Sequence, residues 1–206
     1  MKENTVFFGV KMVFNQQKAL AVKEQKIDTN EPDAAKKITE AFSRFFCSVL
    51  GNNDSIILLC IGTDRSTGDC LGPLVGTKLI QAGIPCITVM GNLEEPVHAK
   101  NLKCVLKKID NKYSNPLIIA VDACLGKLDH VGYVTIGLGP LKPGAGVKKD
   151  LPPVGKIYLT GIVNIGGFME YLVLQNTRLS RVMKMADTMA QALIDFFKNF
   201  KGPVSK

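Results

Sequence analysis

Two aspartates stand where acid–base chemistry could take place in this sequence of 206 residues. Asp69 lies in the loop "CIGTDRSTGDCLGP" (Cys60–Pro73), which follows an apolar run and precedes a helix-like segment. Asp122 directly follows the apolar run "PLIIAV" (Pro116–Val121). Such a run is typical of a strand buried on both faces, and open α/β sheets bind ligands beyond the carboxyl ends of their strands. The pattern alone leaves each aspartate either as an active-site carboxylate or as a cap that accepts backbone N–H bonds.

Other site types are poorly supported by the residues of this loop. It lacks the Gly-Lys-Ser/Thr of a Walker A loop and the GxGxxG of a dinucleotide loop. "DRSTGD" resembles the start of a calcium loop, but Val75 stands at the twelfth position, where calcium requires a bidentate Glu. Cys70 and Cys124 adjoin the two acids, yet neither has an evident His base, so a Cys nucleophile is a lesser alternative. Because no C-x-x-C pair occurs, we expect reduced thiols and neither a structural metal nor a disulfide.

Strand-like and helix-like segments alternate along the chain. The predicted strands are Ser55–Ile61, Pro85–Met90, Pro116–Val121, Val131–Ile136 and Lys156–Thr160, and the predicted helices are Pro32–Val49, Leu71–Ala82, Pro96–Lys107, Phe168–Leu174 and one that begins near Thr177. This alternation predicts a three-layer α/β/α sandwich around a mostly parallel sheet, with Pro116–Val121 in the sheet interior. A Gly/Pro-rich loop is expected over Gly137–Gly155. We expect one domain over residues 1–206, with 1–30 a loosely ordered leader that contains a short strand near Val6–Phe8.

The composition restricts the partners and the location. The formal net charge is +8 and the isoelectric point about 9.2, which suits an acidic partner. The lysines are scattered in pairs without interleaved aromatic residues, so nucleic-acid binding is not expected. No apolar run reaches transmembrane length and no signal-peptide core is present, so we expect no membrane partner and a cytoplasmic protein.

Four separated motifs carry a family resemblance. They are "IGTDRSTGDCLGP", "VDACLG", "PGAGVKKDLPPVG" and "TGIVNIGGFMEYLVLQNTRLSRV", in this order from about residue 55 to the C-terminal part of the chain. In these motifs the sequence resembles the sporulation protein YyaC family of spore-forming bacteria. That family in turn resembles the germination protease and, more distantly, the hydrogenase maturation proteases. The resemblance implies a phosphorylase/hydrolase-like α/β core over residues 31–206 and a location in the sporulating cell or forespore.

The resemblance also implies roles for individual residues. Asp69 follows Gly62 by seven positions, and Asp122 stands in an Asp-Ala pair, as in the germination protease. Asp69 and Asp122 are then expected to form a catalytic dyad that shares a proton, without an assignment of the base. The expected substrate-binding residues are Asp64, Arg65, Gly144, Gly146 and Asn164. Of these, the Gly144–Gly146 loop would offer backbone N–H groups to a substrate carbonyl, or would be an ordinary glycine loop.

Departures from these families keep two functions open. Thr63 replaces the usual Asn of the first loop, and the nickel-binding His of the maturation proteases has no convincing counterpart in His98 or His130. We therefore expect no metal and no cofactor. The first hypothesis is a sporulation-associated peptidase that cleaves protein or peptide substrates such as spore proteins. The alternative is a catalytically silent sporulation protein that binds an acidic or spore-protein partner. Either one is compatible with a homo-oligomer.

Overall fold

The computed structural model describes residues 23–144 and 151–200. In these ranges six strands form one sheet: β1 (Glu24–Asp28), β2 (Ser55–Cys60), β3 (Thr88–Met90), β4 (Pro116–Gly126), β5 (Tyr133–Leu138) and β6 (Ile157–Ile165). The helices are α1 (Ala34–Val49), α2 (Leu71–Gln81), α3 (Leu102–Lys112), α4 (Glu170–Gln175) and α5 (Leu179–Asn199), with short 3-10 turns at Gly68–Cys70 and Leu128–His130. No helix in the described ranges is long and apolar enough to span a bilayer.

The sheet is mixed, with a parallel centre and an antiparallel edge. Its strand order is β1-β5-β6-β4-β2-β3. Strands β3, β2, β4 and β6 run parallel to one another, whereas β5 pairs antiparallel with both β6 and β1. Strand β4 therefore lies in the interior, and Leu117, Ile119 and Val121 are fully buried. The predicted three-layer α/β/α architecture and the interior place of Pro116–Val121 are confirmed.

Two apolar layers cover the sheet. One face packs against α1, α2 and α5, and the other packs mainly against α3. Helix α1 has a buried stripe that begins at Ala34 and continues through Ile38, Phe42 and Phe46, the spacing of one helical face. Phe42 and Phe46 meet Phe197 of α5 at ring-centroid distances of 5.8 Å in edge-on geometry. This aromatic contact holds α5 against α1.

The leader prediction was wrong for its last residues. Residues 24–28, "EQKID", form the edge strand β1, in which Glu24 is paired with Gly137 and Asp28 with Tyr133. Only Ile27 of this strand is buried, and Glu, Lys and Asp are weak strand formers, so the segment carries little strand pattern of its own. The predicted strand at Val6–Phe8 lies outside the described residues.

The helix predicted at Pro96–Lys107 begins later, at Leu102. The Asn101 side chain prevents an earlier start, because its Oδ1 accepts the His98 N–H at 2.8 Å and its Nδ2 donates to the Pro96 carbonyl at 2.9 Å. Val97 instead bridges to Ile61 beside the end of β2. Residues 96–101 therefore form a hydrogen-bonded turn that lies beside the end of β2.

Several predicted ends shift by a few residues. Strands β4 and β6 continue beyond their predicted ends and stay paired as far as Gly126 and Ile165. The loop predicted to begin at Gly137 begins after Leu138, and α4 and α5 begin at Glu170 and Leu179, each two residues later than expected. The prediction that Asp122 ends its strand was therefore wrong. Asp122 lies inside β4, where β6 supplies a further pairing partner.

Candidate active site

The loop after β2 folds back on itself and fixes Asp69 beside the sheet. Gly62 has φ +142°, a conformation that side chains rarely adopt, and a Cβ there would lie 2.0 Å from the Asp69 carbonyl oxygen. The Thr63 N–H donates to this carbonyl at 3.1 Å, and the Asp69 N–H donates to the Ser66 carbonyl at 3.0 Å. The seven-residue interval between Gly62 and Asp69 is therefore one closed loop with a defined backbone.

Asp122 is a buried carboxyl in the centre of the sheet. Its residue is 7% exposed, and its Oδ1 accepts the N–H of Ala123 at 2.8 Å. The Ile61 N–H donates to the Val121 carbonyl at 2.7 Å, so the Asp69 loop leaves β2 directly next to Asp122. Burial, and after it the charge of Asp69, raise the pKa of Asp122 well above its ordinary value, and the Ala123 N–H opposes this shift.

The two aspartates are electrostatically coupled. The charge of Asp69 acts on the Asp122 carboxyl. A like charge disfavours ionisation of a buried acid, so the Asp122 carboxyl is harder to deprotonate than an ordinary aspartate. Asp69 is half-buried and therefore more accessible to water than Asp122. A protonated carboxyl beside a more exposed one provides both a donor and an acceptor for acid–base chemistry.

Helix α4 and the segment after it support the Asp69 turn. A Cβ on Gly68 would lie 2.8 Å from Leu174 Cδ2 and 2.9 Å from Thr177 Oγ1, so the turn and the helix are in close contact. Asn164 at the end of β6 donates from Nδ2 to Thr177 Oγ1 at 3.3 Å. Its Oδ1 accepts the Ile165 N–H at 2.9 Å. The Asn164 side chain thus links β6 to the residues that hold Asp69.

The remaining predicted site residues lie at the rim of the loop or outside the described ranges. Asp64 and Arg65 are exposed. Thr63 Oγ1 accepts the Arg65 N–H at 3.3 Å, so Asp64 and Arg65 form the outer turn of the loop. Gly144 has φ +71°, and Gly146 lies outside the described residues.

A row of polar side chains crosses the sheet beside Asp122, and sequence reasoning missed it. In register, Asp122 pairs with Thr160, Thr160 with Thr135, and Thr135 with Lys26. Residues opposite each other on neighbouring strands share a face, so all four lie on the same side. Thr160 is 7% exposed and Thr135 6% exposed. Only the pairing register brings these residues together, and no local sequence pattern could have revealed it.

Cysteine chemistry is disfavoured at this site. Cys124, two residues after Asp122, hydrogen-bonds Thr160, but burial raises the pKa of its thiol to about 11. Burial also raises the pKa of Cys70, whose Sγ donates to the Thr67 carbonyl at 2.9 Å. A thiol with a raised pKa carries little nucleophilic thiolate at neutral pH. All six cysteines are unpaired.

Ser66 adds a polar group that the sequence did not single out. Its residue is 8% exposed, and its hydroxyl has no hydrogen-bond partner within the part of the chain that the structure describes. Because buried hydroxyls normally find a partner, the Ser66 hydroxyl is an unsatisfied polar group next to the Asp69 turn.

The residues present do not fit the nickel site of the maturation proteases. Within residues 23–144 and 151–200 no three His, Cys, Asp or Glu side chains are grouped to hold a metal ion. His130 packs against the Tyr133 ring at 5.4 Å, and His98 Nδ1 accepts the Lys100 N–H at 3.3 Å. Each histidine is therefore engaged in a local contact and does not belong to a group of metal ligands in the described residues.

Three comparisons place the chain among known proteins. The crystal structure of the NiFe hydrogenase maturation protease HycI from Thermococcus kodakarensis KOD1 is 17% identical with a TM-score of 0.48, covering 73% of this chain and 97% of that one. "Uncharacterized protein YyaC" of Bacillus subtilis (strain 168) is 52% identical over 170 residues, which are 82% of each chain. The resemblance to YyaC is thereby confirmed. A family model matches residues 26–192, and the chain belongs to that family, which is described as "Protein of unknown function (DUF1256)".

Proposed function

We propose that this protein is a peptidase that hydrolyses peptide bonds with Asp69 and Asp122 as its catalytic dyad. The observation that carries the proposal is the Asp122 carboxyl, buried in the central strand and raised in pKa by burial and by the charge of Asp69. A carboxyl whose pKa is raised in this way holds its proton to a higher pH than an ordinary aspartate, which suits it to donate a proton.

In the proposed mechanism the two carboxyls have different roles. Asp69, the more exposed member, takes a proton from a water molecule as the water oxygen attacks the peptide carbonyl carbon. Asp122 gives its proton to the peptide nitrogen, the C–N bond breaks, and an amine and a carboxylic acid are released. The proton held by Asp69 then returns to Asp122, which restores the dyad. In this proposal Asp64, Arg65, Asn164 and the Gly144–Gly146 loop serve substrate binding, either directly or by holding the loop that carries Asp69.

The proposed substrates are proteins of the sporulating cell or forespore. This part rests on the four motifs shared with the YyaC family, and the net charge of +8 suits acidic segments in such a substrate. Exposed Arg65 at the outer turn of the loop supplies a cation at this rim.

The test compares the wild type with Asp69→Asn, Asp122→Asn and the matched control Asp110→Asn, an exposed aspartate on α3. Each full-length protein is incubated with a peptide library and with an acid extract of spores, and cleavage is followed by mass spectrometry. We expect cleavage by the wild type and the control, and a loss of at least about a hundredfold in each dyad variant, as is typical for removal of an acid–base group. Equal cleavage by all four proteins would show that the dyad assignment is wrong.

The exposed turn before α4 and the first residues of α4 favour a second function, a catalytically silent protein that binds a protein partner. Phe168 is 84% exposed, Met169 58% and Tyr171 60%. Exposed apolar clusters of this kind often mark interaction sites. This function is supported if no substrate is cleaved while a spore protein is retained by the wild type and lost by a Phe168→Ala variant.

A further inference from the structure

A cavity of about 390 Å³ lies apart from the dyad loop, where three segments meet. These segments are the turn after β1, the turn before β5 and the first residues of α5. The residues that concern its chemistry are Asn30, Gly132, Arg178, Ser180, Arg181 and Lys184. The volume lies in the range of small-molecule sites.

The base of this cavity is fixed by the sheet. Thr29 donates to the Gly132 carbonyl from its N–H at 3.1 Å and from its Oγ1 at 2.6 Å. The Gly132 N–H in turn donates to the Ile162 carbonyl of β6 at 2.8 Å. Two turns that are distant in sequence are therefore tied to each other and to a central strand, which gives the cavity a preformed wall.

Three cationic side chains line the cavity, and the contacts of two of them are neutral. Lys184 Nζ donates to Asn30 Oδ1 at 2.8 Å, and Arg181 Nη1 donates to the Val163 carbonyl at 3.3 Å. Among residues 23–144 and 151–200, Arg178, Arg181 and Lys184 have no ion pair with a described carboxylate, and the nearest acid in this network, Asp28, accepts from Asn30 rather than from these cations. The Arg181 guanidinium is held in place by one of its five N–H groups, which leaves donors free for a ligand.

We propose that this cavity binds a phosphate-class oxyanion, either free phosphate or the phosphate group of a small molecule. Two guanidinium groups offer planar pairs of donors that match phosphate oxygens, and the Lys184 ammonium adds a point charge. The Ser180 hydroxyl adds a neutral donor at the same wall. The site also lies at the N-terminal end of the 21-residue helix α5, where the helix dipole favours an anion. The proposal does not depend on peptidase activity.

Binding can be measured on the full-length protein by calorimetry and by the melting temperature. Inorganic phosphate and glycerol phosphate are titrated at constant ionic strength, with sodium chloride and sodium acetate as control salts. The variants are Arg178→Gln and Lys184→Gln, with Lys198→Gln as the matched control, an exposed cation in the last turn of the same helix. Arg181 is left intact because it also bonds to the backbone of β6.

We expect a saturable rise in the melting temperature with phosphate that the control salts do not reproduce. Each cavity variant should weaken phosphate binding by about tenfold or more, as loss of a hydrogen bond to a charged group does, whereas Lys198→Gln should bind like the wild type. Tighter binding of glycerol phosphate would assign the site to an organic phosphate, and equal or weaker binding to free phosphate. Equal effects of chloride and phosphate, or equal losses in all three variants, would overturn the proposal. Lys184→Gln keeps the test valid if Arg178→Gln disturbs the helix start.

Discussion

Replacing Asp122 by Asn should make the protein more stable at neutral pH, because it removes a carboxyl that resists ionisation. The Asn side chain has nearly the same shape, and its Oδ1 can still accept the Ala123 N–H that Asp122 accepts at 2.8 Å. The wild-type carboxyl has its pKa raised well above the ordinary value of 3.8 by burial and by Asp69. The folded state therefore binds this proton more tightly than the unfolded state.

The sign and the size of the effect follow from this proton linkage. Between pH 3.8 and the folded-state pKa of Asp122, the folded protein holds a proton that the unfolded chain has released, so wild-type stability falls as the pH rises. Each unit by which the folded-state pKa exceeds the unfolded one lowers the free energy of unfolding by about 1.4 kcal/mol once the pH is above both values. The advantage of Asp122→Asn should therefore be near zero below pH 3.8, grow with pH, and exceed the ~0.5 kcal/mol typical of surface changes.

The assay is urea unfolding from pH 4 to pH 9 for the wild type, Asp122→Asn, Asp69→Asn and the double variant. Asp69→Asn should give a smaller gain than Asp122→Asn, because the Asp69 charge is the second cause of the shift after burial. The two gains should not add, since either change removes the repulsion between the carboxyls. Asp110→Asn, exposed on α3, serves as the reference. Parallel pH profiles of the wild type and Asp122→Asn would refute the reasoning about this carboxyl.

Two further changes test the frame around the dyad. Gly62→Ala should lower the free energy of unfolding, measured in urea, by more than about 2 kcal/mol, because its Cβ would lie 2.0 Å from the Asp69 carbonyl oxygen. Gly139 also has a positive φ but a Cβ there would meet open space, so Gly139→Ala should cost less. Equal costs would contradict the close approach at Gly62. Phe46→Ala should cost about 3–5 kcal/mol, because this fully buried ring packs against α5, whereas Phe168→Ala, 84% exposed, should change stability by less than about 0.5 kcal/mol. Similar values for the two Phe variants would show that the aromatic contact is not part of the core.

The sequence predicts best those parts of the fold whose side chains are apolar on both faces of a strand and must therefore be buried on both. The run Pro116–Val121 has no polar residue to face water, so its interior position followed from the sequence. Strand β1 could not be found in this way, because four of its five residues are polar and its partner β5 is remote in sequence. The start of α3 was predicted too early because a proline such as Pro96 is typical of a first helical turn. The Asn101 side chain instead holds the preceding residues in a turn.

The candidate site also contains residues that the sequence could predict and residues that it could not. Asp69 and Asp122 could be selected as candidates because Asp69 follows Gly62 by seven positions and Asp122 forms an Asp-Ala pair directly after an apolar run. Thr135 and Thr160 could not, since only the register of the folded sheet aligns them with Asp122. The cavity beside the start of α5 likewise draws on three separate segments, so Asn30 and Lys184 meet only after folding.

The burial of Asp122 bears on the choice between a peptidase and a silent binding protein. An asparagine would fill the same place in β4, keep the hydrogen bond to Ala123 and remove the cost of a buried acid beside Asp69. A protein that only binds a partner through the exposed turn at Phe168 has no need of that carboxyl. A peptidase does need it, because a protonated acid must deliver a proton to the leaving nitrogen. If Asp122→Asn gains stability and loses peptide cleavage, the carboxyl is required for catalysis and lowers the stability of the fold, as active-site groups commonly do. If the variant gains stability and keeps full partner binding while neither protein cleaves peptides, the carboxyl is not catalytic and the binding function is favoured.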